Sequence, residues 1–263
     1  MTVDSIRPSS SSWCSRRTLP GRCRAAITLN PPPNRPDPAI YSQAPVLATA
    51  GAATWDNPDI VVYATPQLVG GEWRETQWIL NNALVSVHNH SMKAAAINTR
   101  VDVSYGPVGI GMPKKPLMSQ MISLAAGGMQ QLSIPIPPAV LSQPEQALAL
   151  FVDLYHPFDS DTTNDHGESS SVITLVGAGI GAGTSFDLGN TTNSPITYNL
   201  TAEPNTVQAD VEFAQVTVAP GATQSVIVAW IAPSGTTATS FTVIARDGQG
   251  NLQGGFTNLL YSS

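Results

Sequence analysis

Short runs of alternating apolar and polar residues recur along most of this chain, separated by Gly, Pro and Asn. The pattern begins after Trp55 with Ile60-Val61-Val62-Tyr63 and continues in Leu84 to His88, where Val85 and Val87 share one face. Ile97, Thr99, Val101, Val103 and Tyr105 then alternate with Asn98, Arg100, Asp102 and Ser104. A period of two with one apolar face predicts a half-buried strand. Leu132, Ile134 and Ile136 predict another. Leu148 to Tyr155 is apolar on both faces, which predicts a central sandwich strand.

The glycines of 177–183 interrupt the rhythm, which then resumes. Phe186 and Leu188 open the second set, followed by Ile196, Tyr198 and Leu200, then Val216 and Val218. Val226 to Ile231 reads as a second two-faced strand. Phe241, Val243 and Ala245 alternate, and Leu252 to Phe256 closes the set. No stretch of ten residues carries a helical stripe. Many short strands with turn signals between them predict a sandwich, and two blocks near the usual domain size predict two sandwiches. The expected organisation is all-β: an arm and linker over 1–54, sandwiches over 55–176 and 184–263, and a hinge over 177–183 that few contacts cross.

Composition sharpens this. Apolar residues make up 42% of the 263, enough for a buried core, while charged residues are only 11%. A surface of hydroxyls and amides suits a secreted protein or a packed subunit, so an extracellular, cell-surface or particle location is expected. Six of the twelve basic residues fall in 1–35, where Asp4 is the only acid, giving that arm +5 and leaving −11 on residues 36–263. The Pro- and Ser-rich arm predicts a disordered leader. An acidic body argues against nucleic-acid binding by the folded part. Both cysteines, Cys14 and Cys23, lie in the arm, so neither a disulfide framework nor a Cys-based zinc site is expected in the body. No apolar run is long enough for a secretory signal or a membrane span.

The first block runs Trp55-Asp56-Asn57-Pro58-Asp59-Ile60-Val61-Val62, then Val85-Ser86-Val87-His88-Asn89-His90-Ser91, and closes on Val152-Asp153-Leu154-Tyr155-His156-Pro157 before Asn164 and Glu168. Over 55–176 this resembles the bacterial cell-adhesion-related immunoglobulin-like family known as CARDB. The block at 184–260, through Val216-Thr217-Val218-Ala219-Pro220-Gly221-Ala222-Thr223, is similar to related sandwiches of bacterial surface and carbohydrate-active proteins. The resemblance implies an immunoglobulin-like fold with a binding or spacer role, and no shared catalytic residue.

Candidate chemistry is sparse. His88, His90 and Met92 sit two apart and would form a copper or zinc row if the strand continued, but Asn89-His90-Ser91 reads as a strand-ending turn. Asp159, Asp161, Asn164, Asp165 and Glu168 crowd into ten residues with oxygen ligands suited to calcium, yet their spacing misses the EF-hand loop and favours a solvated turn. No metal or other cofactor is therefore expected. Trp73 and Trp78 are candidates for stacking on a sugar, against ordinary core packing. The glycines of 177–183 have no helix after them and read as a hinge, not a phosphate cradle. The body carries only three lysines, Lys93, Lys114 and Lys115, so its sheet edges look thinly guarded. The segment Met112 to Met129, with Met118, Met121 and Leu124, is the expected contact with another copy or another subunit. The resulting expectation is a non-catalytic structural or interaction protein. A carbohydrate-binding module is the alternative, and a metal-dependent enzyme comes third.

Overall fold

In a computed structural model of the chain, alternation becomes pleat over most of the body. The structure describes residues 34–62, 67–69, 72–74, 82–137, 148–176, 181–204, 207–231 and 238–262. Among these the fold is all-β, with one six-residue helix, α1 (Gln43–Ala48), and a single short 3-10 turn.

The first sandwich pairs two sheets. In one, β5 (Asn82–Asn89) binds β9 (Met129–Pro135) from Asn82 to His88, while β1 (Pro38–Ala39) and β2 (Ile60–Val61) bind successive stretches of β5. The other runs β11 (His166–Ser169), β10 (Leu148–Tyr155), β6 (Ala96–Pro107), β8 (Lys115–Leu124). A hairpin, β3 (Gln67–Val69) with β4 (Glu72–Arg74), stands apart. Val85, Val87, Val101, Val103, Leu150 and Val152 meet between the two sheets as the core.

The second sandwich has a five-stranded sheet of β12 (Ser171–Val176), β19 (Leu252–Ser262), β18 (Ala238–Arg246), β14 (Ile196–Pro204) and β16 (Gln215–Val218). Its partner sheet runs β15 (Gln208–Val211), β17 (Thr223–Ile231), β13 (Gly181–Gly189), β7 (Gly109–Ile110). Phe186, Leu188, Tyr198, Trp230, Phe241 and Phe256 fill the space between, the two Phe rings of 186 and 256 stacked at 5.3 Å. In both sandwiches an early strand pairs with a later one in one sheet (β5 with β9, β13 with β17) and the next strand pairs across in the other (β6 with β10, β14 with β18). This is the immunoglobulin-like crossing of hairpins between sheets. In each, an asparagine at or just past the end of that early strand holds the following turn. Asn89 Nδ2 donates to the carbonyls of Ala94 and Ala125, and Asn190 Nδ2 to those of Ser194 and Val218.

The structure corrects several expectations. Residues 34–54 are part of the folded body. Pro38 and Ala39 add a strand to β5, where a proline is tolerated because an edge position needs no N–H on that side. Helix α1 is too short to show a period in sequence, and Pro45 fits its first turn. The boundary between sandwiches also moves. Ser171–Val176 pairs parallel with β19 and so belongs to the second sandwich, and Gly181–Gly189 is strand from its first residue. Gly109–Ile110, expected in a loop of the first sandwich, pairs parallel with β13 in the second. Residues 177–180 lie outside the described residues, but three segments now join the sandwiches, and Pro33–Ser263 forms one compact unit.

The third joining segment is Trp55. It is 1% exposed and lies with Ala53 against Ile244, Val46, Leu47 and Leu252. Its backbone N–H donates to Thr257 Oγ1 at 2.8 Å, and its carbonyl accepts from Ser170. The indole covers Gly255 so closely that a Cβ there would sit 2.5 Å from ring carbons. This cover explains why β18, read as alternating, is buried on both faces from Phe241 to Ala245. The converse holds for β17. Its sequence reads as two-faced, yet Ile227 and Ile231 are exposed because nothing described covers that outer sheet face. Ile97 departs as well. Asn98 adopts φ 59° beside a register shift between Ala96 and Thr99, so Ala96 takes the inward position and Ile97 turns outward.

Candidate functional site

Strand β8 forms an edge of its sheet, bonded along β6. Its inward positions are Met118 opposite Val103, Gln120 opposite Val101 and Ile122 opposite Thr99, with Leu124 closing the core at 3% exposure. Leu124 is therefore unavailable to a partner, which corrects one of the three expected contact residues, while Met118 is half-buried against the core. Met121 faces outward and is 58% exposed. It shares a cross-strand row with Arg100 and Tyr155, the guanidinium lying 5.1 Å from the Tyr155 ring centre. The next row is polar: Ser119 Oγ donates to Asp102 Oδ1, and His166 Nδ1 lies 2.7 Å from Asp153 Oδ1. That contact holds the Asp153 carboxyl below its ordinary value. Lys115 and Pro116 guard only the start of β8, and Leu117 to Leu124 carries no charge.

The histidine row does not assemble. His88 and His90 lie on the outer side, ring centres 6.2 Å apart, and His88 Nε2 is 3.0 Å from Asp59 Oδ1. The strand stops at Asn89, whose Oδ1 accepts from the N–H groups of Asp37 and Ser91, and Met92 lies beyond the turn, exposed. Trp73 falls in β4, whose side chains lie outside the described residues, as does Trp78 altogether.

The acidic loop from β10 to β11 is not a loose solvated turn. Asp161 Oδ1 caps the turn η1 (Thr162–Asn164), accepting from Thr163 N–H and Oγ1. The loop is stitched to residues 35–40. Ser160 N–H donates to the Pro36 carbonyl, Ile40 N–H to the Asn164 carbonyl, Asn164 Nδ2 to Asp37 Oδ1, and Arg35 Nε to the Phe158 carbonyl. Asp159 is only 5% exposed and its Oδ1 accepts from Asp161 N–H. Its carboxyl lies within hydrogen-bonding reach of that of Asp165. Burial first, and the Asp159 carboxyl second, push Asp165 up to about 8; burial also raises Asp159. His156 is buried, with Nδ1 accepting from Phe158 N–H and Nε2 3.0 Å from the Ile97 carbonyl. Three oxygens in the loop are buried without a hydrogen-bond partner: Asp159 Oδ2, Asn164 Oδ1 and Asp165 Oδ1. Among the described residues no three His, Cys, Asp or Glu side chains form a ready ion-binding group. Sequence reasoning grouped the loop acids but missed Asp37. The Pro36-Asp37-Pro38 pattern of an edge segment was the available signal.

Glu168, on β11, faces the Trp55 indole. Burial pushes its carboxyl up to about 7 despite Lys114, His166 and the indole, which act the other way. A raised carboxyl means the folded state holds this proton more tightly than the unfolded chain does. Its stabilising contribution is complete below the unfolded value and is lost as pH climbs toward 7. Glu168→Gln is expected to raise Tm by a few degrees at pH 8 and to leave it unchanged at pH 4. Thermal melts of both proteins across this range check it, and parallel pH profiles would contradict it.

No family model matches the chain, and no curated protein matches it. Solved structures overlap it slightly. WR4, a C. elegans MSP family member, is 11% identical with a TM-score of 0.27, covering 35% of this chain and 92% of its own. Escherichia coli alpha-2-macroglobulin activated by porcine elastase is 11% identical with a TM-score of 0.29, covering 90% of this chain and 23% of its own. A protein of unknown function from Porphyromonas gingivalis W83 is 10% identical at 0.27, covering 68% and 91%. Overlaps this slight leave the immunoglobulin-like architecture to rest on the chain's own strand pairings. Among the described residues no helix is long and apolar enough to cross a membrane.

Proposed function

We propose that this chain is a non-catalytic interaction module, of the kind the cell-adhesion-related resemblance implies, that works at a cell surface or in a particle by pairing with a second copy of itself. The observation that carries the reading is the edge of β8. Eight successive uncharged residues, Leu117 to Leu124, run along a sheet edge beside exposed Met121, Arg100 and Tyr155. An unguarded edge of this length is a template for strand addition, and Met, Arg and Tyr are residues favoured at interfaces. An antiparallel pairing of β8 with its copy across a two-fold axis would extend the sheet to eight strands. A contact of about 800 Å² per partner is ordinary for such a dimer.

Sedimentation of the protein and of Met121→Lys tests this. The variant is expected to weaken self-association at least tenfold, with Tm within about 2 °C, because Met121 points to solvent. A wild-type protein that stays monomeric at tens of micromolar would remove the reading and favour the carbohydrate-binding alternative through Trp73 and Trp78.

A further inference from the structure

We propose that the loop between β10 and β11 is a calcium site, with Asp159, Asn164 and Asp165 as protein ligands and Asp37 at its rim. The inference is independent of the assembly reading. Asp159 is more than nine-tenths buried, and its Oδ2 has no donor. Asn164 Oδ1 and Asp165 Oδ1 are buried and equally without one, although the opposite atoms of two of these side chains are engaged: Asp159 Oδ1 by Asp161 N–H, Asn164 Nδ2 by Asp37. Buried acceptors are normally satisfied, so three orphans from residues adjacent in one loop call for a shared partner.

Charge decides what that partner is. Asp37, Asp159, Asp161 and Asp165 bear on one another, yet among the described residues none forms an ion pair with a Lys or Arg. The basic groups nearby are few: Arg35, which donates to the Phe158 carbonyl, His156, whose ring draws on Asp159, and His90, which acts on exposed Asp161. A water molecule could donate to two of the orphan oxygens, and a proton held between Asp159 and Asp165 could join those two carboxyls, but neither meets all three oxygens. A cation does, and it suits the surplus of acids. The donors are two carboxylates and an amide carbonyl with no nitrogen or sulfur, a set that suits a hard ion. Calcium accepts six to eight oxygens in irregular geometry and completes its shell with solvent, whereas magnesium demands a near-ideal octahedron. An ion here would lock the loop onto residues 35–40, which it already touches through Pro36, Asp37 and Ile40.

The competing arrangement is a proton shared between Asp159 and Asp165, and the test separates the two. The full chain is stripped with chelator and melted at neutral pH with and without about 1 mM calcium, the concentration at which extracellular calcium modules fill. Calcium is expected to raise Tm by about 3–6 °C in the wild type and by less than about 1 °C in Asp159→Asn and Asp165→Asn. Titration calorimetry should give one calcium per chain. No shift and no heat in the wild type would overturn the proposal, and this measurement stands even if a variant fails to fold. An equal shift in both variants, or with magnesium or sodium chloride in place of calcium, would overturn it as well. So would an Asp165→Asn protein that is more stable than the wild type in both the presence and absence of calcium, the signature of a shared proton.

Discussion

Trp55→Ala is expected to cost about 3–5 kcal/mol and to lower Tm by roughly 10 °C. The residue is fully buried although it lies in a connecting segment, and it packs on Gly255, Ile244 and Leu252 of the second sandwich while its N–H bonds Thr257. Truncation removes the cover of the outer face of β18 and β19. It exposes Ile244 and leaves a cavity that the flanking backbone, tied down at Ser170 and Thr257, has little freedom to close. Gly255→Ala tests the same contact from the other side. Its added carbon would overlap the indole, with ring backing on rigid strand, so it too destabilises. In the double variant the clash disappears with the ring. The two losses are then expected to add to clearly more than the double variant costs. Chemical denaturation of the four proteins measures this. Strict additivity would mean that Trp55 and Gly255 do not act on each other.

Separating the sandwiches at the glycine segment should have a still larger effect. A fragment of residues 181–263 lacks both Gly109–Ile110, which extends the sheet beside β13, and Ser171–Val176, which flanks β19. It also loses Ile110, 1% exposed in the second core, and the Trp55 cover. Two sheet edges and a core position are opened at once, more than the about 5–15 kcal/mol of a typical domain can absorb. The fragment is expected to show no cooperative unfolding, while the chain from residue 34 onward melts in a single transition. Ile110→Ala in the full chain, at a cost of about 2–5 kcal/mol, isolates the core part of the effect. A fragment with dispersed amide resonances and a sharp melt would show that the shared strands are decoration.

The sequence by itself determined the fold class and most strands. Val101 and Val103 on β6, Tyr198 and Leu200 on β14, and Val216 and Val218 on β16 alternate as read, because side-chain direction along a strand depends only on the local period of two. The outward placement of His88 followed from Val85 and Val87 by the same rule. What only the tertiary structure decided involves residues distant in the chain. Whether an outer face is covered depends on which segment lands there: Trp55 landed on β18, and nothing described landed on β17, so one strand was misread in each direction. Residues 34–54 looked like an arm because prolines forbid a helix. Asn89, the β5 residue that pairs with Pro38, is 51 residues further along the chain. Leu124 and Met121, both apolar and three apart, fall on opposite faces of a strand, and only the register against β6 decides which of them turns inward. The candidate calcium site shows the same division. Its loop acids are visible as a cluster, but a spacing rule tests ligands within one loop. It could not see Asp37 brought up by strand pairing, or that burial leaves three oxygens without donors.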